Sequence, residues 1–126
     1  ANQAGQHLLH PVLAAAIKWL EENFAQDAAI EELAVKFGVS PPYFNALFNQ
    51  EFSFGPTKYR RNIRMKISRQ LLMNPYLTIA EIGDMCGYPD PNYFSRIFRC
   101  THGCSPSKWR KMDRRWIDKT VKSKQL

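Results

Sequence analysis

The stretch Gly87-Tyr88-Pro89-Asp90-Pro91-Asn92-Tyr93-Phe94-Ser95-Arg96-Ile97-Phe98-Arg99 decides how this chain is read, because its centre occurs twice. Tyr43-Phe44-Asn45-Ala46-Leu47-Phe48 aligns with Tyr93-Phe94-Ser95-Arg96-Ile97-Phe98 at an offset of 50 residues. The same offset pairs Pro56-Thr57-Lys58-Tyr59-Arg60 with Pro106-Ser107-Lys108-Trp109-Arg110. Upstream the offset is 49: Ile30, Leu33, Ala34 and Gly38 match Ile79, Ile82, Gly83 and Gly87, so the second copy has gained one residue in the turn after its glycine. Self-similarity at a fixed period signals one supersecondary unit used twice.

Each unit reads as helix, short turn, helix. In the second, Thr78-Ile79-Ala80-Glu81 has the spacing of a capping box, in which hydroxyl and carboxylate each bond the other residue's backbone N–H. Ile79, Ile82 and Cys86 form an apolar stripe, and Gly87 ends the helix as a residue at ease in the left-handed region. Asp90 then caps the next helix, with Pro91 at its first position, where a missing N–H costs nothing. Ser40 and Pro41 do the same after Gly38 in the first unit. There Ala29 stands where Thr78 stands in the second, leaving that helix start without a side-chain cap.

The remaining sequence fits around these units. His10–Phe24 is an amphipathic helix with Leu13, Ile17, Leu20 and Phe24 at helical spacing. Pro56 to Asn74 is one longer helix, and Pro106–Trp116 is a final one. The predicted fold is all-α: two helix–turn–helix subdomains joined by a long linker helix, about seven helices in total, with no strand. The expected divisions are a linker stub at 1–9, a first helix–turn–helix subdomain at 10–55, the linker helix at 56–74, a second subdomain at 75–116 and a basic tail at 117–126.

Composition narrows the function. The 126 residues are 44% hydrophobic, enough for a core, and contain no run of 18 apolar residues and no basic region followed by an apolar stretch at the start. Three cysteines in an ordinary composition do not make a disulfide framework, and a reducing cytoplasm is the expected compartment. The net charge of +7 is unevenly spread. Residues 1–55 hold two cations and six acids, whereas residues 56–126 hold 16 cations and five acids. A basic half suits phosphate neutralisation, and it equally suits a solvated surface; charge alone divides evenly between them.

The second helix of a helix–turn–helix enters the major groove with its N-terminal residues toward base edges. Such a helix needs an apolar back and a polar front. In the second unit Phe94, Ile97 and Phe98 are the back, and Pro91 or Asn92, Ser95, Arg96 and Arg99 the front. Asn pairs bidentately with adenine and Arg with the O6/N7 edge of guanine; Arg99 can instead hold a phosphate. The first unit has the back Phe44, Leu47 and Phe48, and a cation-free front of Pro42, Asn45, Ala46 and Asn49. A linker helix of roughly 18 residues makes a rod of roughly 27 Å. That length suits two recognition helices about one duplex turn apart on one DNA face. Its outer face offers Lys58, Arg60, Arg61, Arg64, Lys66 and Arg69 to the intervening phosphates.

Gly87-Tyr88, then Tyr93-Phe94-Ser95-Arg96-Ile97-Phe98-Arg99, then Gly103-Cys104-Ser105-Pro106-Ser107-Lys108-Trp109-Arg110 closely resemble the signature of the AraC/XylS family of bacterial transcription regulators. Leu33-Ala34 through Gly38, Ser40 and Phe44 to Phe48 resembles the family's first helix–turn–helix, and Arg64-Met65 with Leu71-Leu72 its linker helix. The resemblance covers roughly residues 10–112. It implies a DNA-binding domain with two reading units that activates transcription and contacts RNA polymerase, usually joined to an effector-binding or dimerisation domain. By position the family's base-reading residues fall on Pro42, Asn45 and Ala46, and on Asn92, Tyr93, Ser95 and Arg96, with Asn49 beside the first set. Trp19 falls where some members place a backbone-contacting tryptophan, and Arg61, Arg64, Arg99, Lys108 and Arg110 are the further expected phosphate contacts. The chain departs from the family at Pro42 and Ala46, where longer polar side chains are common.

Helical spacing assigns Tyr43, Phe44, Phe48, Phe94 and Phe98 to core packing and leaves Tyr93 open between core and groove. Cys100-Thr101-His102-Gly103-Cys104 has metal-like spacing, but a tetrahedral site needs a fourth ligand and Cys86 lies in another helix, so no metal or other cofactor is expected. No Gly-rich phosphate loop, nucleophile elbow or HExxH occurs, which argues against an enzyme. Two rival readings stand beside the specific regulator: a nonspecific architectural DNA binder, and a protein-interaction module using the acidic first half.

Overall fold

The computed structural model describes residues 8–112, and among these every regular element is a helix. They are α1 (Pro11–Glu22), α2 (Ile30–Lys36), α3 (Pro41–Phe52), α4 (Pro56–Leu71), α5 (Ile79–Met85), α6 (Pro91–His102) and α7 (Pro106–Lys111). The chain divides into two units, residues 1–64 and 65–126, with the boundary inside α4. The expected basic tail at 117–126, most of the 1–9 stub and the end of the helix expected to reach Trp116 lie outside the described residues.

The repeat in sequence is a repeat in backbone. Helices α2 and α5 each have seven residues, and α3 and α6 each have 12. The Thr78 hydroxyl accepts from the Glu81 N–H at 3.1 Å and the Glu81 carboxylate from the Thr78 N–H at 3.1 Å, completing the capping box. The second of these bonds, with the hydroxyl contact, holds the Glu81 carboxyl below its ordinary pKa. Ala29 makes no side-chain cap on α2. Both 12-residue helices end on a left-handed residue, Gly103 at φ 84° and Ser53, its counterpart, at φ 67°. Glycine adopts that conformation without Cβ strain, whereas serine must be held there by its surroundings.

Each unit has its own core. In unit 1, Leu13, Ala16 and Leu20 of α1 meet Ile30, Leu33 and Ala34 of α2 and Phe44, Leu47 and Phe48 of α3. In unit 2, Met65 and Leu72 from the α4 segment pack with Ile82, Cys86, Tyr88, Phe94 and Phe98. There α5 and α6 approach so closely that a Cβ on Gly83 would lie 2.9 Å from the Phe94 ring. Ala34, at the same place in unit 1, carries that methyl and is fully buried. Tyr43 departs from its expected place in a core. It is 46% exposed, because it lies one position before Phe44 in the first turn of α3 and bonds His10, the residue capping α1.

The basic residues hold a second correction. Arg64, expected on phosphate, is only 6% exposed. Its Nε donates to Phe24 O at 2.6 Å and its Nη2 to Gln26 O at 3.0 Å, fastening α4 to the chain that leaves α1. Arg60 donates to Ala28 O. Arg110, also expected on phosphate, is half-buried and donates to Leu72 O and Asn74 O at 3.1 Å each, fastening α7 to the end of α4. By sequence Arg110 pairs with Arg60; by hydrogen bonds it repeats Arg64, since each bonds two carbonyls spaced two residues apart where a helix ends. Carbonyls released at a helix terminus need donors, and a guanidinium supplies several in a fixed fork. Helix α4 stops at Leu71 rather than Asn74 for the same reason. The N–H groups of Met73 and Asn74 turn back to Gln70 O and Leu71 O, and Arg110 takes the carbonyls that follow.

Two outcomes follow from these local structures. Ala29→Thr restores a capping box with Glu32 three residues on, and should stabilise the chain by about 1 kcal/mol in chemical denaturation. Arg64→Ala strands two helix-end carbonyls and should destabilise it by about 2–3 kcal/mol, whereas Lys66→Ala on the exposed face should change stability by less than about 0.5 kcal/mol.

Candidate nucleic-acid interface

Helix α6 turns two faces in opposite directions. Phe94 and Phe98 are fully buried, while Asn92, Tyr93, Arg96 and Arg99 are exposed and Ser95 and Ile97 are half-covered at the edge. The helix start is fixed by Asp90, whose Oδ1 accepts from the Asn92 N–H at 2.9 Å, and by Pro91 in the first turn. Four of the expected reading residues are therefore brought together on the first two turns of one rigid helix. Tyr93 falls on the outward side, 44% exposed. Its ring centroid lies 5.8 Å from that of Tyr88, and the Arg96 guanidinium sits over it at 5.9 Å.

Helix α3 is built the same way, with Phe44, Leu47 and Phe48 buried and Pro42, Asn45, Ala46 and Asn49 exposed. Its outward face is chemically thinner. The Asn45 amide donates to Pro41 O and the Asn49 amide to Asn45 O, both at 2.9 Å, so each side chain folds back along its own helix. Asn45 Oδ1 also lies close over Gly55, 3.4 Å from where a Cβ would stand. One of the two N–H groups of each amide is thereby tied to the helix, which restricts how the pair can meet a base edge. Ser40 caps the helix, its hydroxyl accepting from the Tyr43 N–H at 3.3 Å.

The expected phosphate contacts separate into two groups. Arg99 and Lys108 are exposed and Arg61 is half-exposed, all on helices, and Lys108 lies in the first turn of α7 behind the Ser105 cap. Arg64 and Arg110 are engaged with carbonyls. Trp19 is half-buried against the unit 1 core with the Lys36 ammonium 5.4 Å from its ring. At the end of α6, burial lowers the His102 pKa below its ordinary value; the Met65 carbonyl at 3.3 Å opposes this and the Arg69 charge adds to it. Three contributions had no sequence signal pointing to their role: the carbonyl clamps of Arg60, Arg64 and Arg110, the Tyr88 ring behind Tyr93, and His10 beside Tyr43. Only the Tyr93–Arg96 pair was accessible to sequence reasoning, because residues three apart on a helix are neighbours.

Among the described residues no group of three or more His, Cys, Asp or Glu could hold a metal ion, and no helix is long and apolar enough to cross a membrane.

A family model described as a helix-turn-helix domain matches residues 33–112. The chain is 32% identical over 105 residues to YpdC, an uncharacterized HTH-type transcriptional regulator of Escherichia coli (strain K12), covering 83% of this chain and 35% of that protein. It is 32% identical over 90 residues to the HTH-type transcriptional activator RhaS of Klebsiella pneumoniae (strain 342), covering 71% and 32%. The chain thus spans about a third of the length of these curated relatives. Among solved structures, the C-terminal domain of AraT, a response regulator from Geobacillus stearothermophilus, matches with a TM-score of 0.79 at 31% identity, over 83% of this chain and 88% of that one. A transcriptional regulator from Chromobacterium violaceum, described with AraC-type DNA-binding domain-containing proteins, matches with a TM-score of 0.73 at 30% identity, over 79% and 89%. The matched residues run from within α2 to the end of α7 and take in most of the doubled frame of α2–α3 and α5–α6, and this chain belongs to the AraC/XylS-type helix-turn-helix family of DNA-binding transcription regulators.

Proposed function

We propose that this chain recognises promoter DNA by laying α3 and α6 into successive major grooves, with α6 the stronger reader. The observation that carries this is the outward face of α6, where Asn92, Tyr93, Ser95 and Arg96 stand opposite the buried Phe94 and Phe98. An arginine at that place pairs bidentately with guanine O6 and N7, and an asparagine with adenine N6 and N7. On α3 the reading set is Pro42, Asn45, Ala46 and Asn49. Its contribution is smaller because the two amides are bonded to their own helix and no cation is present. Arg61, Arg99 and Lys108 hold phosphates, with Trp19 alongside the backbone. These contacts position the domain on duplex and carry the salt dependence of binding.

In the whole protein this binding activates transcription, with RNA polymerase as partner and an effector-binding or dimerisation domain completing the molecule. The support is the coverage: the chain accounts for about a third of relatives such as the activator RhaS. The setting is the bacterial cytoplasm, where such regulators meet their promoters.

Selection of bound duplexes from a random pool of about 30 base pairs, near physiological salt, should enrich two blocks about one helical turn apart. Arg96→Ala should then cost about 1–3 kcal/mol on the selected site and little on unrelated duplex, measured by fluorescence anisotropy. No enrichment, with binding that disappears as salt rises, would reduce the domain to an architectural binder. A uniform loss on all DNA would make Arg96 a phosphate contact.

A further inference from the structure

We infer that Tyr93 is a positioning residue that acts through Arg96: its ring, seated against Tyr88, holds the Arg96 guanidinium over the groove face before DNA arrives. The inference rests on the reading of α6 proposed above and assigns the division of labour within it.

Three observations converge. Tyr88 is a fixed wall: it is 8% exposed, belongs to the unit 2 core, stacks on Phe94 at 6.1 Å with planes 26° apart, and its N–H bonds Gly83 O at 2.8 Å. Tyr93 leans on that wall, ring centroids 5.8 Å apart and planes at 58°, so its orientation is determined although it is exposed. Arg96, one turn on, places its guanidinium 5.9 Å from the Tyr93 ring centroid, within the range of a cation–π contact. The chain Tyr88–Tyr93–Arg96 therefore runs from the core to the tip of the reading arginine.

The first unit supplies a control within the same molecule. Tyr43 is the counterpart of Tyr93, but Val39 stands in place of Tyr88 and Ala46 in place of Arg96. Both flanking groups are missing together, and Tyr43 turns instead to His10, its hydroxyl 3.3 Å from the ring nitrogen Nε2. Where there is no arginine to hold, the tyrosine is not stacked for holding one.

The physical gain is preorganisation. A long arginine side chain loses rotamer freedom when it is fixed on a base edge, and a contact that fixes it beforehand lowers that cost. A cation–π contact at an exposed site is worth a factor of about three in affinity. Because the guanidinium is held near the Tyr93 ring on the groove face, the gain falls on the base that Arg96 pairs with and not on DNA in general.

The test is a double-mutant cycle on duplex enriched by the wild-type chain, measured against the same duplex with each base pair replaced in turn. Tyr93→Leu should lower discrimination at the Arg96-dependent base pair about threefold. Tyr93→Phe, which retains the ring, should restore most of that loss. In the Arg96→Ala background, Tyr93→Leu should have no further effect. Independent losses in the cycle would overturn the inference, since Tyr93 would then touch DNA itself; so would Tyr93→Phe behaving like Tyr93→Leu, since a hydroxyl contact would be responsible. A readout without DNA separates failure here from failure of the DNA-reading proposal. In the free chain the Arg96 side-chain protons should show upfield ring-current shifts that vanish in Tyr93→Leu and persist in Tyr93→Phe. Their absence in the wild type would overturn the inference whatever the selection returns.

Discussion

Burial of two phenylalanines one turn apart on each recognition helix is the constraint on which the rest depends. Phe44 with Phe48, and Phe94 with Phe98, are fully buried, and each pair packs edge to face at 5.2 and 6.0 Å. Each ring removes a large apolar area from water, so a helix rotated away from this orientation loses several kcal/mol. Once the phase of the helix is fixed, every other side chain on it is assigned a direction. Asn45, Ala46 and Asn49 on α3, and Asn92, Arg96 and Arg99 on α6, have no alternative to facing outward. A reading surface is the complement of the buried one.

The two units use this frame to different ends. In unit 2 the outward face carries cations and a tyrosine braced against the core, on a helix whose left-handed terminus is a glycine. In unit 1 the same face carries amides folded onto their own backbone and a serine strained at φ 67°. The supporting helices differ as well: Gly83 leaves no room for a Cβ beside the Phe94 ring, where Ala34 at the same place in unit 1 carries a buried methyl. Duplication supplies one geometry twice, and substitutions at a few positions then give the two copies different outward chemistry.

A basic composition also proves to be two populations with different duties. Arg60 and Arg64 bond carbonyls of the segment between α1 and α2, and Arg110 bonds carbonyls just past the end of α4. Arg96, Arg99 and Lys108 are exposed on the helices that carry or follow the reading face. Net charge by itself does not separate the two, because an arginine engaged with backbone carbonyls still contributes to the long-range field.

What the sequence determined by itself was everything set within about one turn of chain. The repeat, the caps at Ser40, Thr78 and Asp90, the missing cap at Ala29, the proline starts and the apolar backs of α3 and α6 all depend on neighbours three or four residues away, and those spacings are visible in a string of letters. What only the tertiary structure decided was the partner of each long or amphipathic side chain. Nothing near Arg64 in sequence distinguishes it from Lys66, yet its partners lie 38 and 40 residues upstream and Arg110's lie 36 and 38 upstream. Tyr43 and Tyr93 occupy one repeat position and meet different neighbours, His10 and Tyr88, because those neighbours come from segments outside the repeated hexapeptide. A flexible side chain with several donors takes whichever acceptors the fold brings within its reach, and that reach spans segments whose proximity no local pattern encodes.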